Sequence, residues 1–192
     1  QSNEAWFTHV PGLKIVYPSN PADAKGLLIA SIADPNPVLF IEHKALYRSI
    51  EGDVPTGYYS LEFGQAGIVQ SGSKATIVTY GLGVHWVMQY LKDHPMDVEV
   101  IDLRTLAPLD YPTIFASVQK TGRALIVHED NLTGGIGGEI SARITEECFE
   151  YLDAPVMRCG SMDTPIPFSA EIEKVYLANH KLDSILTKLI QY

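Results

Sequence analysis

Apolar runs typical of β-strands alternate with helical patterns along most of the chain. Runs rich in Val, Ile, Leu and Tyr predict strands at 13–17, 38–42, 75–80, 98–102, 124–128 and 156–159. The clearest helical stripe lies near the end of the chain, at Leu182, Ile185, Leu186, Leu189 and Ile190. Strands that alternate with helices imply parallel pairing through right-handed crossovers. We therefore predict an α/β fold with helices on both faces of a sheet.

Further helices are predicted between the strands. Asn20 can cap a helix that has Pro21 in its first turn, and Asp110 can cap another that runs to Lys120. A third helix is expected over 138–149. The apolar stripes are Ala24, Leu27, Leu28 and Ile32 on the helix after Asn20, and Val84, Val87, Met88 and Leu91 on the helix after the 75–80 strand.

The stretch from His43 to Lys74 shows no clear period. It contains Gly52, Pro55, Gly57, Gly64, Gly67 and Gly72. Because long structureless loops are uncommon inside compact domains, we interpret this stretch as holding a linker between two domains.

Composition and charge narrow the class of protein. The 192 residues are 46% apolar and 19% charged, an ordinary globular balance for one large domain, or for one domain and part of another. The net charge is -9 and Lys and Arg are scattered, so we expect no nucleic-acid partner and no anionic membrane. No apolar run is long enough for a membrane helix, and no signal-peptide pattern is visible. Since the chain starts at Gln1 rather than Met, we expect a processed or trimmed chain with sequence upstream.

The metal-binding residue types are not clustered. Cys148 and Cys159 form no CxxC motif, so we predict two reduced, buried thiols in a cytosol-like compartment. The histidines are too widely spaced for a metal site; they include His43, His85, His94 and His180.

A glycine-rich segment, Thr133 to Glu139, follows a strand and opens a helix, which is the setting of a phosphate-binding loop. The dinucleotide pattern fits poorly, because its third glycine position is Ile140 and Glu139 would repel a phosphate. We favour close backbone packing against a neighbouring element.

His128 lies at the carboxyl end of a predicted parallel strand, beside Glu129 and Asp130. Ligands bind at that edge of open α/β sheets, and a His next to carboxylates can act as a general base. We favour a histidine that is hydrogen-bonded into an interface. No GxSxG motif is present, so a serine hydrolase is not supported.

The turn from Ser31 to Pro37 follows a helix C-terminus, where carbonyl oxygens lack partners. Such oxygens together with Asp34 could hold a hard cation, but the spacing alone favours an ordinary helix-ending Asp-Pro turn.

Several long strings resemble one family, the beta subunits of thiamine-diphosphate-dependent 2-oxo acid dehydrogenases. They are HVPGLKIVYPSNPADAKGLL from His9, SIADPNPVLFIEHKALYR from Ser31, VTYGLGVHWV from Val78, VEVIDLRTLAPLD from Val98, TGRALIVHEDNLTGGIGGEI from Thr121 and EECFEYLDAPVMRCGSMDTPIPF from Glu146. The LYR, EECF and CGSMDTP strings are more similar to the branched-chain (2-oxoisovalerate) enzymes than to the pyruvate enzymes.

The resemblance implies a domain organisation and a reaction. Residues 1–63 would be the end of a thiamine pyrimidine-binding domain, 64–72 a linker, and 73–192 a transketolase C-terminal-like parallel-sheet domain. The intact enzyme would pair with an alpha subunit or a fused alpha region. It would decarboxylate a branched-chain 2-oxo acid and acylate the lipoyl group of an acyltransferase core, in a bacterial cytoplasm or a mitochondrial matrix.

The resemblance places the family's catalytic residues outside these 192 positions. The active-site His would immediately precede Gln1, the thiamine-activating Glu lies further upstream, and diphosphate and magnesium belong to the alpha part. We therefore expect no catalytic and no cofactor-binding residue here, and a fragment that is inactive alone. The family's structural potassium turn maps onto Ser31, Ile32, Asp34 and Asn36.

The family also pairs its beta C-terminal domains across a two-fold axis. We expect a homodimer contact through the Gly134–Gly138 loop and the nearby 128–130 cluster. Two alternatives remain open, namely a transketolase or 1-deoxyxylulose-phosphate synthase, disfavoured because no basic cluster suits a sugar phosphate, and a non-catalytic interaction module.

Overall fold

The structure is a computed structural model that describes residues 2–192. Its helices are α1 Glu4–Thr8, α2 Pro21–Ala33, α3 Leu46–Ser49, α4 Leu82–Asp93, α5 Tyr111–Thr121, α6 Gly137–Cys148, α7 Ala170–Tyr176 and α8 Leu182–Gln191. Its strands are β1 Lys14–Val16, β2 Val38–Phe40, β3 Gly67–Gln70, β4 Thr76–Thr79, β5 Glu99–Asp102, β6 Thr105–Ala107, β7 Ala124–Asn131 and β8 Met157–Ser161. Short 3₁₀ turns cover Phe149–Tyr151 and Ala178–Lys181.

The main sheet has five strands in the order β3-β5-β4-β7-β8. Strands β5, β4, β7 and β8 are parallel, and β3 joins the edge antiparallel to β5. A second sheet has the order β2-β1-β6, with β1 parallel to β2 and antiparallel to β6. The predicted α/β architecture is confirmed.

Helices cover both faces of the main sheet. Neighbouring residues of a strand pack against different helix layers because their side chains point to opposite sides. Val78 of β4 packs in one core cluster with residues of α5 and α6. Ile77, one position earlier, packs in the other cluster with residues of α4 and α8. The stripe predicted on α8 is confirmed, since Leu182, Leu186 and Leu189 are buried in that second cluster.

The segment expected as a linker contains a strand. β3 lies within 64–72 and pairs with β5, with Ile68 opposite Ile101. The sequence of β3 shows no clear strand pattern because β3 is an edge strand whose apolar residues are exposed, Ile68 by 54% and Val69 by 42%. The main sheet therefore begins before residue 73.

Both predicted helix caps are confirmed. The Asn20 side chain accepts a hydrogen bond from the Asp23 N–H at 2.9 Å, and the Asp110 side chain accepts one from the Thr113 N–H at 3.1 Å. The helices α1 and α7 were not predicted, because five and seven residues are too few for a clear periodic stripe.

The stripe predicted on α2 is partly wrong. Leu27 is fully buried, but Leu28 and Ile32 are 44% and 77% exposed. The buried face instead includes Asp23 and Gly26, where a Cβ would lie 2.7 Å from the Leu61 side chain. A polar residue and a glycine carry no signal in an apolar periodicity.

The first 50 residues and the main-sheet domain share contacts and a core. Strand β6 pairs with β1, and Ile15 and Tyr17 belong to the same buried cluster as α5 and α6. These contacts bring the start of the chain to the carboxyl ends of β4, β5 and β7.

Candidate functional site

Polar side chains at the carboxyl ends of β4 and β7 meet the start of the chain. The Tyr80 hydroxyl donates to Glu4 Oε1 at 2.7 Å, and the Ser2 hydroxyl donates to Glu129 Oε2 at 2.7 Å. Glu129 Oε2 also lies 2.8 Å from Nε2 of His43. We call these five residues, together with Asp130, the junction cluster. The edge at which they meet is where open α/β sheets bind ligands.

Glu4 is the most unusual member of the junction cluster. Its side chain is buried, and its Oε2 atom has no hydrogen-bond partner within the described chain. Burial raises the pKa of Glu4 to about 7, against the lowering effect of the Tyr80 hydrogen bond. A carboxyl group in this setting can hold a proton close to neutral pH.

The two carboxyl groups on β7 respond differently. Burial would raise the pKa of Glu129, but the hydrogen bonds from His43 and Ser2 outweigh it and leave the pKa lowered. Burial raises the pKa of Asp130, and the hydrogen bonds that its carboxyl group accepts from backbone N–H groups, including that of Ala5, do not outweigh it. The junction cluster thus contains one carboxyl group with a lowered pKa, Glu129, and two with a raised pKa, Glu4 and Asp130.

A second polar tie lies at the carboxyl end of β5. The Ser19 hydroxyl donates to the buried carboxyl of Asp102, and burial raises the pKa of that carboxyl to about 6. Arg104, in the left-handed region at φ 59°, donates through Nε to Asp23 at 2.7 Å. These contacts fix α2 to the main-sheet domain.

His128 lies inside the domain rather than at an interface, which corrects the expectation for this residue. Its Nδ1 is 3.0 Å from the carbonyl oxygen of Asp130, and its Nε2 has no partner within residues 2–192. Burial lowers its pKa to about 4, so it is neutral in ordinary solution. A neutral ring enclosed in this way acts as a packing element.

The glycine-rich loop packs against His128, as the preferred interpretation of that loop predicted. A Cβ on Gly135 would lie 2.7 Å from the imidazole, and one on Gly137 would lie 2.6 Å from it. A Cβ on Gly160 of β8 would lie 2.9 Å from the same ring. Gly135 and Gly137 are therefore buried within one chain, and only the Gly134 end of the loop is exposed.

The predicted cation turn ends α2. Asp34 accepts hydrogen bonds from the backbone N–H of Asn36 and from Lys14, and the Lys14 contact is the main cause of its lowered pKa. The Ser31 hydroxyl donates back to the Leu27 carbonyl, and the Ile32 side chain is exposed. Both carboxylate oxygens of Asp34 are engaged, so a cation here would rely on main-chain carbonyls.

The residues present do not fit a magnesium–diphosphate site. No group of three or more His, Cys, Asp or Glu residues within 2–192 could hold a metal ion. The loop at the start of α6 presents Glu139 in its first turn, which opposes an anion. Cys148 and Cys159 are free and buried, as predicted, and burial raises the pKa of Cys159 to about 11.

Part of this site is predictable from the sequence. His128, Glu129 and Asp130 are predicted at the sheet edge because they lie at the end of a recognisable strand. Glu4, Tyr80 and Asp102 are not predicted. Tyr80 and Asp102 also sit at the ends of predicted strands, which was a usable signal. Glu4 lies in a short helix and gives none.

Two family models match the chain. The model of the transketolase C-terminal domain covers residues 64–181, and that of the transketolase pyrimidine-binding domain covers 1–50. Within the described residues, no helix has both the length and the apolar character needed to cross a bilayer.

Curated relatives resemble the chain over nearly all its length. The chain is 46% identical to a mitochondrial 2-oxoisovalerate dehydrogenase subunit beta of Arabidopsis thaliana, covering 96% of the chain and 52% of that protein. It is 45% identical to a pyruvate dehydrogenase subunit beta of Bacillus subtilis, covering 94% of the chain and 56% of that protein. The chain spans 40% to 60% of the length of such relatives.

A solved structure shares the fold. A split-gene transketolase, described as an inactive beta4 tetramer, superimposes with a TM-score of 0.76 at 19% identity, over 97% of this chain and 60% of that one. At that identity the likeness concerns the fold alone.

Proposed function

We propose that this chain, which belongs to the transketolase family through its C-terminal and pyrimidine-binding domains, is part of the beta subunit of a 2-oxo acid dehydrogenase. The observation that carries the proposal is the 45–46% identity to beta subunits of such enzymes over 94–96% of the chain. For the sugar-phosphate alternative, the solved split-gene transketolase matches this chain at 19% identity, well below the 45–46% identity to the beta subunits.

In the proposed reaction, a 2-oxo acid loses carbon dioxide and its acyl group passes to the lipoyl disulfide of an acyltransferase core. The disulfide is reduced and the acyl carbon is oxidised, so the electrons balance. Thiamine diphosphate, when bound in the intact assembly, supplies the stabilisation of the carbanion formed on decarboxylation. The alpha part would bring the diphosphate and magnesium ligands.

This chain would supply structure and subunit contacts. We also propose that the turn at Ser31, Ile32, Asp34 and Asn36 holds potassium through main-chain carbonyls. The compartment would be a bacterial cytoplasm or a mitochondrial matrix, since relatives include bacterial and mitochondrial proteins.

We favour a branched-chain substrate. The LYR string at 46–48 and the EECF string at 146–149 support this choice. The identities of 46% and 45% to the two substrate classes do not separate them, so the substrate is decided by assay.

Two measurements test the proposal. The native reading frame extended upstream of Gln1 is combined with its alpha partner, and turnover is compared for 3-methyl-2-oxobutanoate, pyruvate and xylulose 5-phosphate. We expect kcat/KM to be highest for 3-methyl-2-oxobutanoate. Turnover of the ketose phosphate alone would overturn the proposal, and a preference for pyruvate would overturn only the substrate choice.

The second measurement uses the 192-residue chain alone. Isothermal titration with thiamine diphosphate and magnesium should give no binding heat. Micromolar binding would show that the cofactor site lies within this chain after all.

A further inference from the structure

Helix α1 is attached to the rest of the molecule mainly by its start. Trp6 and Phe7 are 76% and 38% exposed, and Glu4 is the one helix residue that is buried. A five-residue helix is not stable by itself, so its position depends on the contacts that hold it.

Those contacts end on oxygen atoms of the main-sheet domain. The Ser2 hydroxyl and the Ala5 N–H donate to the carboxylates of Glu129 and Asp130, and Glu4 accepts from Tyr80. The start of α1 therefore places its own carboxyl group next to two others.

The surroundings of Glu4 contain little compensating charge. It faces Tyr80 at the end of β4, Tyr17 at the end of β1, and the β7 carboxyl groups of Glu129 and Asp130. His43, after β2, is engaged with Glu129, and the cleft beside Glu4 of about 380 Å³ is rimmed by residues that include Glu42 and Lys44.

No described cation lies within hydrogen-bond distance of Glu4, and its Oε2 is buried without a partner. A buried carboxylate without a counter-ion is costly, whereas the neutral acid fits. The docked position of α1 therefore requires a proton on Glu4.

We propose that α1 is a proton-controlled latch, docked on the carboxyl ends of β4 and β7 while the Glu4 carboxyl is protonated and released when that carboxyl ionises. This inference does not depend on the proposed catalytic function. The pH would then control whether helix α1 is attached to the main-sheet domain.

The sign of the effect follows from linkage. Burial raises the pKa of Glu4 from 4.5 to about 7. The docking contribution is complete below 4.5 and is lost as pH rises through about 7. One proton then makes the opening constant of α1 rise roughly tenfold per pH unit across that window and level off above it.

Hydrogen exchange read by mass spectrometry, on peptides covering residues 3–10 between pH 5 and 8, tests the latch. Rates are divided by the intrinsic chemical rate at each pH, so that the remaining change reports opening. We expect protection of α1 to fall roughly 50- to 100-fold over this range in the parent chain, and to stay level in Glu4→Gln. Glu173→Gln, an exposed change on α7, is the matched control and should behave like the parent.

Three outcomes decide between the possible titrating groups. Protection that is equally level in the parent, or equally pH-dependent in Glu4→Gln, overturns the proposal. A slope abolished by Asp130→Asn but not by Glu4→Gln also overturns it, because the switch would then lie on β7. If Glu4→Gln does not fold, Glu4→Ala serves in its place, since it removes the same titration.

Discussion

The imidazole Nε2 of His128 lies 2.6 Å from the point that a Cβ atom on Gly137 would occupy. Cβ atoms on Gly135 and Gly160 would also lie 2.7 and 2.9 Å from the ring, so glycines line it on several sides. The glycines of the loop are therefore required by a buried ring of the same chain, and not by a ligand.

Gly137→Ala should destabilise the fold by about 1–3 kcal/mol, because the added methyl overpacks the His128 ring. Gly138→Ala is the matched control in the same helix, since its nearest neighbour would be an Arg158 nitrogen at 3.6 Å. That change should be neutral or stabilising by up to about 1 kcal/mol through helix propensity. Urea unfolding measures both, and equal effects would contradict the packing role.

His128 should make the chain less stable in acid. Its folded pKa of about 4 lies below the ordinary 6.5, so the unfolded chain binds the proton first. The stability it permits is complete above pH 6.5 and falls as pH drops towards 4, by up to about 3 kcal/mol.

Glu4 works in the opposite direction over an overlapping range, so the experiment is done in Glu4→Gln. Denaturant midpoints between pH 4 and 7 are compared with those of the same background carrying His128→Asn. The slope should shrink with His128→Asn and stay unchanged with His180→Gln, an exposed control. An unchanged slope in both would show that other groups cause the acid sensitivity.

The elements that sequence could predict are those whose own residues determine them. The runs 75–80 and 124–128 are buried on both faces, and the caps at Asn20 and Asp110 act on neighbouring backbone, so each leaves a local pattern. Arg104 at φ 59° and the unpartnered Glu4 depend on residues far along the chain. The candidate site was therefore predicted at its sheet edge and missed at its N-terminal side.

Potassium should raise the melting temperature of the chain if the turn at Ser31 to Asn36 holds a cation. An ion that binds only the folded state stabilises it by RT ln(1 + [L]/Kd). A comparison with lithium at equal ionic strength removes general screening as the cause. The ion-specific shift should survive Lys14→Ala, which breaks the pair with Asp34 but leaves the main-chain carbonyls. No difference between the two salts in the parent chain would contradict the site.

A homodimer through the main-sheet domain remains an expectation, and the buried glycines change how it is tested. Gly135 cannot carry a probe, since its Cβ would lie 2.4 Å from the Asn131 carbonyl and any larger residue would disturb the fold. Glu139 is exposed at the start of α6 beside the loop and can be replaced without touching His128.

Light scattering coupled to size exclusion, over a concentration series, should give the mass of a dimer. In Glu139→Trp the dissociation constant of that dimer should rise at least about tenfold. Lys92→Trp, exposed on α4, is the control and should leave the dissociation constant unchanged. A two-fold contact uses the same patch on both chains, and a standard interface buries roughly 1,200–2,000 Å², so a bulky ring at its edge meets its own copy. A monomer mass at every concentration would contradict the dimer. A dimer whose dissociation constant is unchanged by Glu139→Trp would place the contact on another surface.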